Sequence, residues 1–160
     1  MSVKKKVLFA GIMMLLAVAA AETGAAEYRK PGKTDKCPVC GMFVYKYPDF
    51  IAQVVFNDPD IRFFDGAKDM FKFLLALQRY SPGKKPDDIT AIYVTDYYQL
   101  TPIDARKAFY VVGSDVYGPM GRELIPFEKE SEAREFLSDH RGKAVLRYGD
   151  ITASTIRGLD

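Results

Sequence analysis

The 160-residue chain has a single histidine, His140, and only two cysteines, Cys37 and Cys40. Two cysteines cannot build a disulfide framework. One cysteine pair and one histidine also fall short of a closed Cys/His zinc site, unless carboxylates or a second chain supply donors. There is no Ser/His/Asp set and no glycine-rich phosphate loop, so neither nucleophilic hydrolysis nor phosphate cradling is indicated. An excess of one charge is missing too. The chain carries 23 basic and 21 acidic residues, and removing Lys4, Lys5 and Lys6 with a leader leaves 20 against 21. A near-neutral, mixed surface lacks the footprint of a nucleic-acid binder.

Nor is there an apolar run long enough for a membrane span. Residues 7–21 are apolar, about 15 residues where a spanning helix needs roughly 20. The lysines before the run, and the small residues of Ala19-Ala20-Ala21 and Gly24-Ala25-Ala26 at its end, read as a secretory signal peptide over residues 1–26. Cleavage is expected between Ala21 and Ala26. No cysteine sits at the expected cleavage site to accept a lipid, so a soluble exported protein without a stable membrane anchor is expected. It would have about 135 residues, enough for one domain or two small subdomains.

Residues 27–36 are a polar, extended lead-in. Cys37-Pro38-Val39-Cys40-Gly41-Met42 then reads as a turn, with Gly41 permitting a positive φ. Strands are expected at 43–45, 51–56 and 61–64, a helix from Asp65, and a strand at 89–97. The second half repeats the order. Strands are expected at 108–112 and 124–127, with a turn at Gly113-Ser114-Asp115 and a glycine-flanked segment at 118–121 between them. A helix over 128–139 and a strand over 144–148 follow. The spacing from Phe64 to Phe73-Leu74 recurs from Phe127 to Phe136-Leu137. The expected fold is therefore α+β, with two ββαβ-type units in tandem. The first, 37–98, carries the cysteine turn and an extra strand. The second is 99–150, and the tail 151–160 is a capping turn or disordered.

Cys37, Cys40 and Met42 place two thiols and a thioether within six residues. Polarisable sulfur favours Cu(I) over hard cations. Two other readings stay open. A CxxC can exchange disulfides, though reactive pairs usually begin a helix, and the residues after Cys40 read as a strand. Thiolates also take zinc readily. Met120, between Pro119 and Gly121, is hard to place in a core and is a candidate exchangeable donor. His140 ends a helix, where the dipole favours an imidazolium cap. Asp58, Asp60, Asp65, Asp87 and Asp88 read as turn and cap residues.

Four motifs in order resemble the NosL family, the accessory copper proteins of nitrous oxide reductase maturation. They are Asp35-Lys36-Cys37-Pro38-Val39-Cys40-Gly41-Met42, Ala108-Phe109-Tyr110-Val111-Val112-Gly113-Ser114, Gly118-Pro119-Met120-Gly121 and His140-Arg141-Gly142-Lys143-Ala144-Val145-Leu146. The resemblance spans residues 33–151. It implies two ββαβ units, similar to part of the organomercurial lyase fold. It also implies a periplasmic Cu(I) chaperone, not an enzyme, working between copper donor and acceptor proteins of cuproenzyme assembly. Carried over by motif, the metal ligands fall on Cys37, Cys40, Met42, Met120 and His140. Many members carry a lipid-accepting cysteine after the leader, from which this chain departs. A homodimer could complete the coordination.

Overall fold

Runs of β-branched and aromatic residues form the strands of the computed structural model, which describes residues 27–160. The expected signal peptide lies outside the described residues. In chain order the strands are β1 Ala52–Phe56, β2 Ile61–Phe64, β3 Ile89–Thr95, β4 Pro102–Asp104, β5 Phe109–Gly118, β6 Gly121–Phe127 and β7 Ala144–Arg147. Two antiparallel sheets result, ordered β2-β1-β3-β4 and β6-β5-β7. Helix α1, Ala67–Leu75, connects β2 towards β3, with the short α2, Leu77–Tyr80, after it. Helix α3, Glu130–Asp139, connects β6 to β7. Each half is a ββαβ unit, as expected for the α+β fold.

The repeated Phe spacing has a packing meaning. Phe64 and Phe73 stand with ring centroids 5.1 Å apart, and Phe127 and Phe136 stand at the same 5.1 Å. In each unit the residue ending the second strand meets one nine positions on, in the following helix. The larger core runs across both units. It gathers Phe56, Phe64, Met70, Phe71 and Phe73 with Tyr110 and Leu124 of the second sheet. Tyr110 is sealed there, its hydroxyl donating to the Ala105 carbonyl at 2.6 Å.

Four expectations are corrected. Residues 43–45 are not a strand: Val44–Lys46 is a 3-10 turn. The Val44 N–H is taken by the Asp35 carbonyl, and Pro48 opens a second such turn, so no ladder can extend. The extra strand of the first sheet is instead β4, which lies within 99–150 and pairs with β3. Gly113-Ser114-Asp115 does not end its strand. Register shifts between Val112 and Tyr117 and β5 continues to Gly118, so the residues form a bulge. The tail is neither a simple turn nor disordered. Thr152 caps helix α4, Ala153–Arg157, and Ile151, Ile156 and Leu159 enter the core.

Helix α1 begins at Gly66 with no side-chain cap of its own. One of its free N–H groups is met from the other unit: Glu123 of β6 accepts from the Lys68 N–H at 2.5 Å, and also from the N–H of Leu124 beside it in β6 at 2.9 Å. A methyl group at position 66 would meet the Glu123 carboxylate, which would have to shift from the helix start to admit it. Burial pushes the Glu123 carboxyl up to about 8 from an ordinary 4.5. Between those values the folded chain keeps a proton that the unfolded chain has lost. Stability therefore falls as pH rises from about 5 to about 8. Melting temperatures across that range should decline, and the decline should flatten in Glu123→Gln. An equal slope in the variant would remove Glu123 as its source.

Candidate metal centre

The six-residue cysteine loop is closed by its own backbone. The Cys37 N–H donates to the Met42 carbonyl and the Gly41 N–H to the Cys37 carbonyl, both at 2.9 Å. A bridge between Lys36 and Phe43 pins the base of the loop. Gly41 takes φ +80°, the positive value expected of it. This turn aims both sulfurs at helix α1. Cys37 is 1% exposed, Cys40 is half-buried, and both are free thiols.

Two aspartates meet them there. Cys37 Sγ donates to Asp69 Oδ2 at 3.3 Å. Cys40 Sγ donates to Asp65 Oδ1 at 3.2 Å. One donor atom from each of Cys37, Cys40, Asp65 and Asp69 lies within 4.8 Å of every other. Asp65 follows β2, and Asp69 sits in the first turn of α1, on the two sides of the extended Gly66, and both carboxylates reach the cysteine sulfurs. The reading of Asp65 as a cap or turn acid is corrected: it is buried and faces the cysteines. No sequence motif marks Asp69. The one local signal was the pair of acids four apart across a helix start, a pattern that capping also produces.

Burial also sets the thiol chemistry. Desolvation pushes the Cys40 thiol up to about 12, and hydrogen bonding to the aspartates adds to it. Cys37 is driven up further, again chiefly by desolvation, with the charges of Asp65 and Asp69 adding. These are protonated thiols, unlike the activated thiolate of an exchange catalyst. A metal ion entering here must displace thiol protons.

The remaining expected site residues are placed as follows. Met42 is half-buried at the end of the loop. Met120 is 44% exposed at the tip of the β5–β6 hairpin. Its carbonyl accepts from Lys68 Nζ at 2.9 Å, which ties the tip to the helix that carries Asp69. His140 lies in the second unit, outside the four-residue cluster. It is the C-cap of α3, stacked on Phe136 with centroids 4.2 Å apart, and its Nδ1 is 3.0 Å from Asp115 Oδ1. The structure thus brings together the cysteines, ties the Met120 hairpin to the neighbouring helix, and sets His140 apart.

Known proteins are similar to this chain in sequence and fold. The chain is 27% identical to the copper-binding lipoprotein NosL of Stutzerimonas stutzeri, over 92% of this chain and 83% of that one. It is 31% identical to the protein of the same name from Achromobacter cycloclastes, over 73% of this chain and 63% of its relative. The crystal structure of the copper chaperone NosL from Shewanella denitrificans superposes with a TM-score of 0.67 at 26% identity. The match covers 80% of this chain and 97% of that one. The sequence model of the NosL family matches residues 29–156, most of the length described above. With the family's motifs carried through that span, the chain belongs to the NosL family.

Proposed function

We propose that the chain is a periplasmic Cu(I) chaperone, a carrier and not an enzyme, delivering copper to the assembly of a cuproenzyme. Nitrous oxide reductase is the client that the family resemblance suggests. The carrying observation is the convergence of Cys37 and Cys40 at one point beside α1, in a chain whose relatives are named copper-binding. Cys37 and Cys40 supply thiolate ligands, and Met42 and Met120 supply weaker thioether bonds that an acceptor can replace. The half-buried Cys40 and Met42 form the open side, through which a donor or acceptor ligand enters. Copper is the cargo, exchanged ligand by ligand between copper donor and acceptor proteins.

Anaerobic titration of the reduced protein with Cu(I), against a chromogenic competitor, tests this reading. About one tightly held Cu(I) per chain is expected, since a single cysteine pair is present. Affinity no better than that of a free dithiol would overturn it. Met120→Ala should slow transfer to a dithiol acceptor by about tenfold, as expected for loss of one outer contact. If both affinity and transfer rate are unchanged, Met120 has no part in the site.

A further inference from the structure

A lysine is almost never fully buried unless its charge is paired. Lys68, in the first turn of α1, is 3% exposed. Its ammonium has three donors and no acceptor, and two segments remote in the chain meet them. Nζ donates to the Met120 carbonyl at 2.9 Å, 52 residues away, and at a longer 3.5 Å to the Leu159 carbonyl, 91 residues away. Asp160 Oδ1 stands 3.7 Å from the same Nζ and is itself held by Lys72 Nζ at 2.7 Å.

The hairpin tip has little else to fix it. Met120 is 44% exposed, and Gly121, at φ +87°, has open space where a side chain would stand. Among the described residues, Lys68 makes the one hydrogen bond that reaches Met120 from outside its hairpin. Below the tip, Glu123 lies against Gly118 and accepts from the Lys68 N–H, which joins the hairpin to the start of the helix. The tail is anchored separately, by Ile156 and Leu159 in the core. One buried charge is thus shared between hairpin and tail. If either carbonyl withdraws, the ammonium loses an acceptor where little water can replace it.

We propose that Lys68 is a positioning residue for Met120, with Leu159 and Asp160 completing a clamp that fixes the reach of its thioether. This rests on the reading of Met120 as an exchangeable donor. The Lys72–Asp160 pair holds a carboxylate beside the ammonium, and the ammonium holds the tip. With the clamp closed, the thioether is presented from one place and needs little further ordering to meet an ion. With it open, the tip samples many places and transfer slows.

The experiment compares the wild type with Lys68→Met, which keeps the side-chain length and removes the charge, and with Asp160→Asn, an exposed change outside the core. Backbone order from nitrogen relaxation is read first, in the metal-free protein. At Met120 and Gly121 it should be about 0.85 in the wild type, fall below about 0.6 in Lys68→Met, and fall part of the way in Asp160→Asn. Unchanged order in Lys68→Met overturns the clamp. Unchanged order in Asp160→Asn overturns the part given to the tail, and if Lys68→Met does not fold, Asp160→Asn decides the whole. Transfer of Cu(I) to a dithiol acceptor should slow about tenfold in Lys68→Met, as in Met120→Ala. The double variant should be no slower than Met120→Ala alone, whereas a general structural defect would add, to about a hundredfold, and overturn the positioning role. Wild-type transfer in Met120→Ala would instead sink the thioether reading, and the order at the tip would still judge the clamp.

Discussion

With Cys37 and Cys40 both exchanged for serine, Cu(I) affinity falls by at least about a thousandfold, roughly 4 kcal/mol. The loss is large because serine keeps the size and the hydrogen bonding but replaces a soft donor by a hard one. The fold should survive, since each thiol meets an aspartate through a hydrogen bond that a hydroxyl can also donate. Anaerobic competition titration of the two proteins measures the difference, and similar affinities would mean that copper binds elsewhere. The wild type carries a second signature. Burial holds both thiols protonated near neutral pH, with Cys40 pushed up to about 12 and Cys37 further. Each sulfur that ligates must therefore release a proton. Apparent affinity should rise with pH between about 6 and 8, by about tenfold per unit for each ligating thiol. A hundredfold rise per unit identifies two thiolates and a tenfold rise one. A flat profile is incompatible with thiolate ligation.

Phe73→Ala costs about 3–5 kcal/mol of folding stability, the range for deleting a fully buried aromatic ring. Phe73 is completely buried. Its ring meets Phe64 at 5.1 Å, Tyr80 at 6.0 Å and Phe56 at 6.5 Å, so three aromatic neighbours border the cavity. The counterpart Phe136→Ala should cost a similar amount in the second unit, where Phe136 meets Phe127 and Tyr97, each at 5.1 Å. Urea unfolding midpoints measure both. A loss below about 1 kcal/mol at either site would show that the neighbours collapse into the space. Phe73 lies on the helix that holds Asp69 beside the cysteines, so its removal should also weaken metal binding. Phe136 lies in the unit of His140, outside the cysteine cluster, and its removal should leave metal binding little changed.

Much of the fold was legible because its determinants are local. Alternating β-branched and aromatic residues, turn residues and helical periodicity mark the ββαβ order within short windows. Pairing is the part they do not reveal. Residues 43–45 have strand composition, yet the Val44 N–H is drawn to the Asp35 carbonyl and Val44–Lys46 winds into a 3-10 turn. The 3-residue strand β4 carries Pro102 and has little composition to announce it; it exists because β3 offers an open edge. The tail reads as a turn or as disorder, since Ile151, Ile156 and Leu159 are isolated apolar residues until the core surrounds them.

The candidate centre divides in the same way. Cys37, Cys40 and Met42 lie within six residues of one turn, so the sequence by itself determined that soft donors would gather there. The Gly-Pro-Met-Gly hairpin and the end of α3 were likewise marked by their own residues. Only the tertiary structure decided what the thiols face. Asp65 and Asp69 are chemically indistinguishable, as letters, from the cap acids at Asp58 or Asp88. They become neighbours of sulfur because β2 and α1 pack against the cysteine turn. His140 shows the converse, a ligand type whose place is set by Phe136 and Asp115 instead of by the cysteines. Local patterning depends on backbone preference and solvent exposure over a few residues. The company of a buried charge depends on which surfaces must exclude water together, and that is a property of the whole chain.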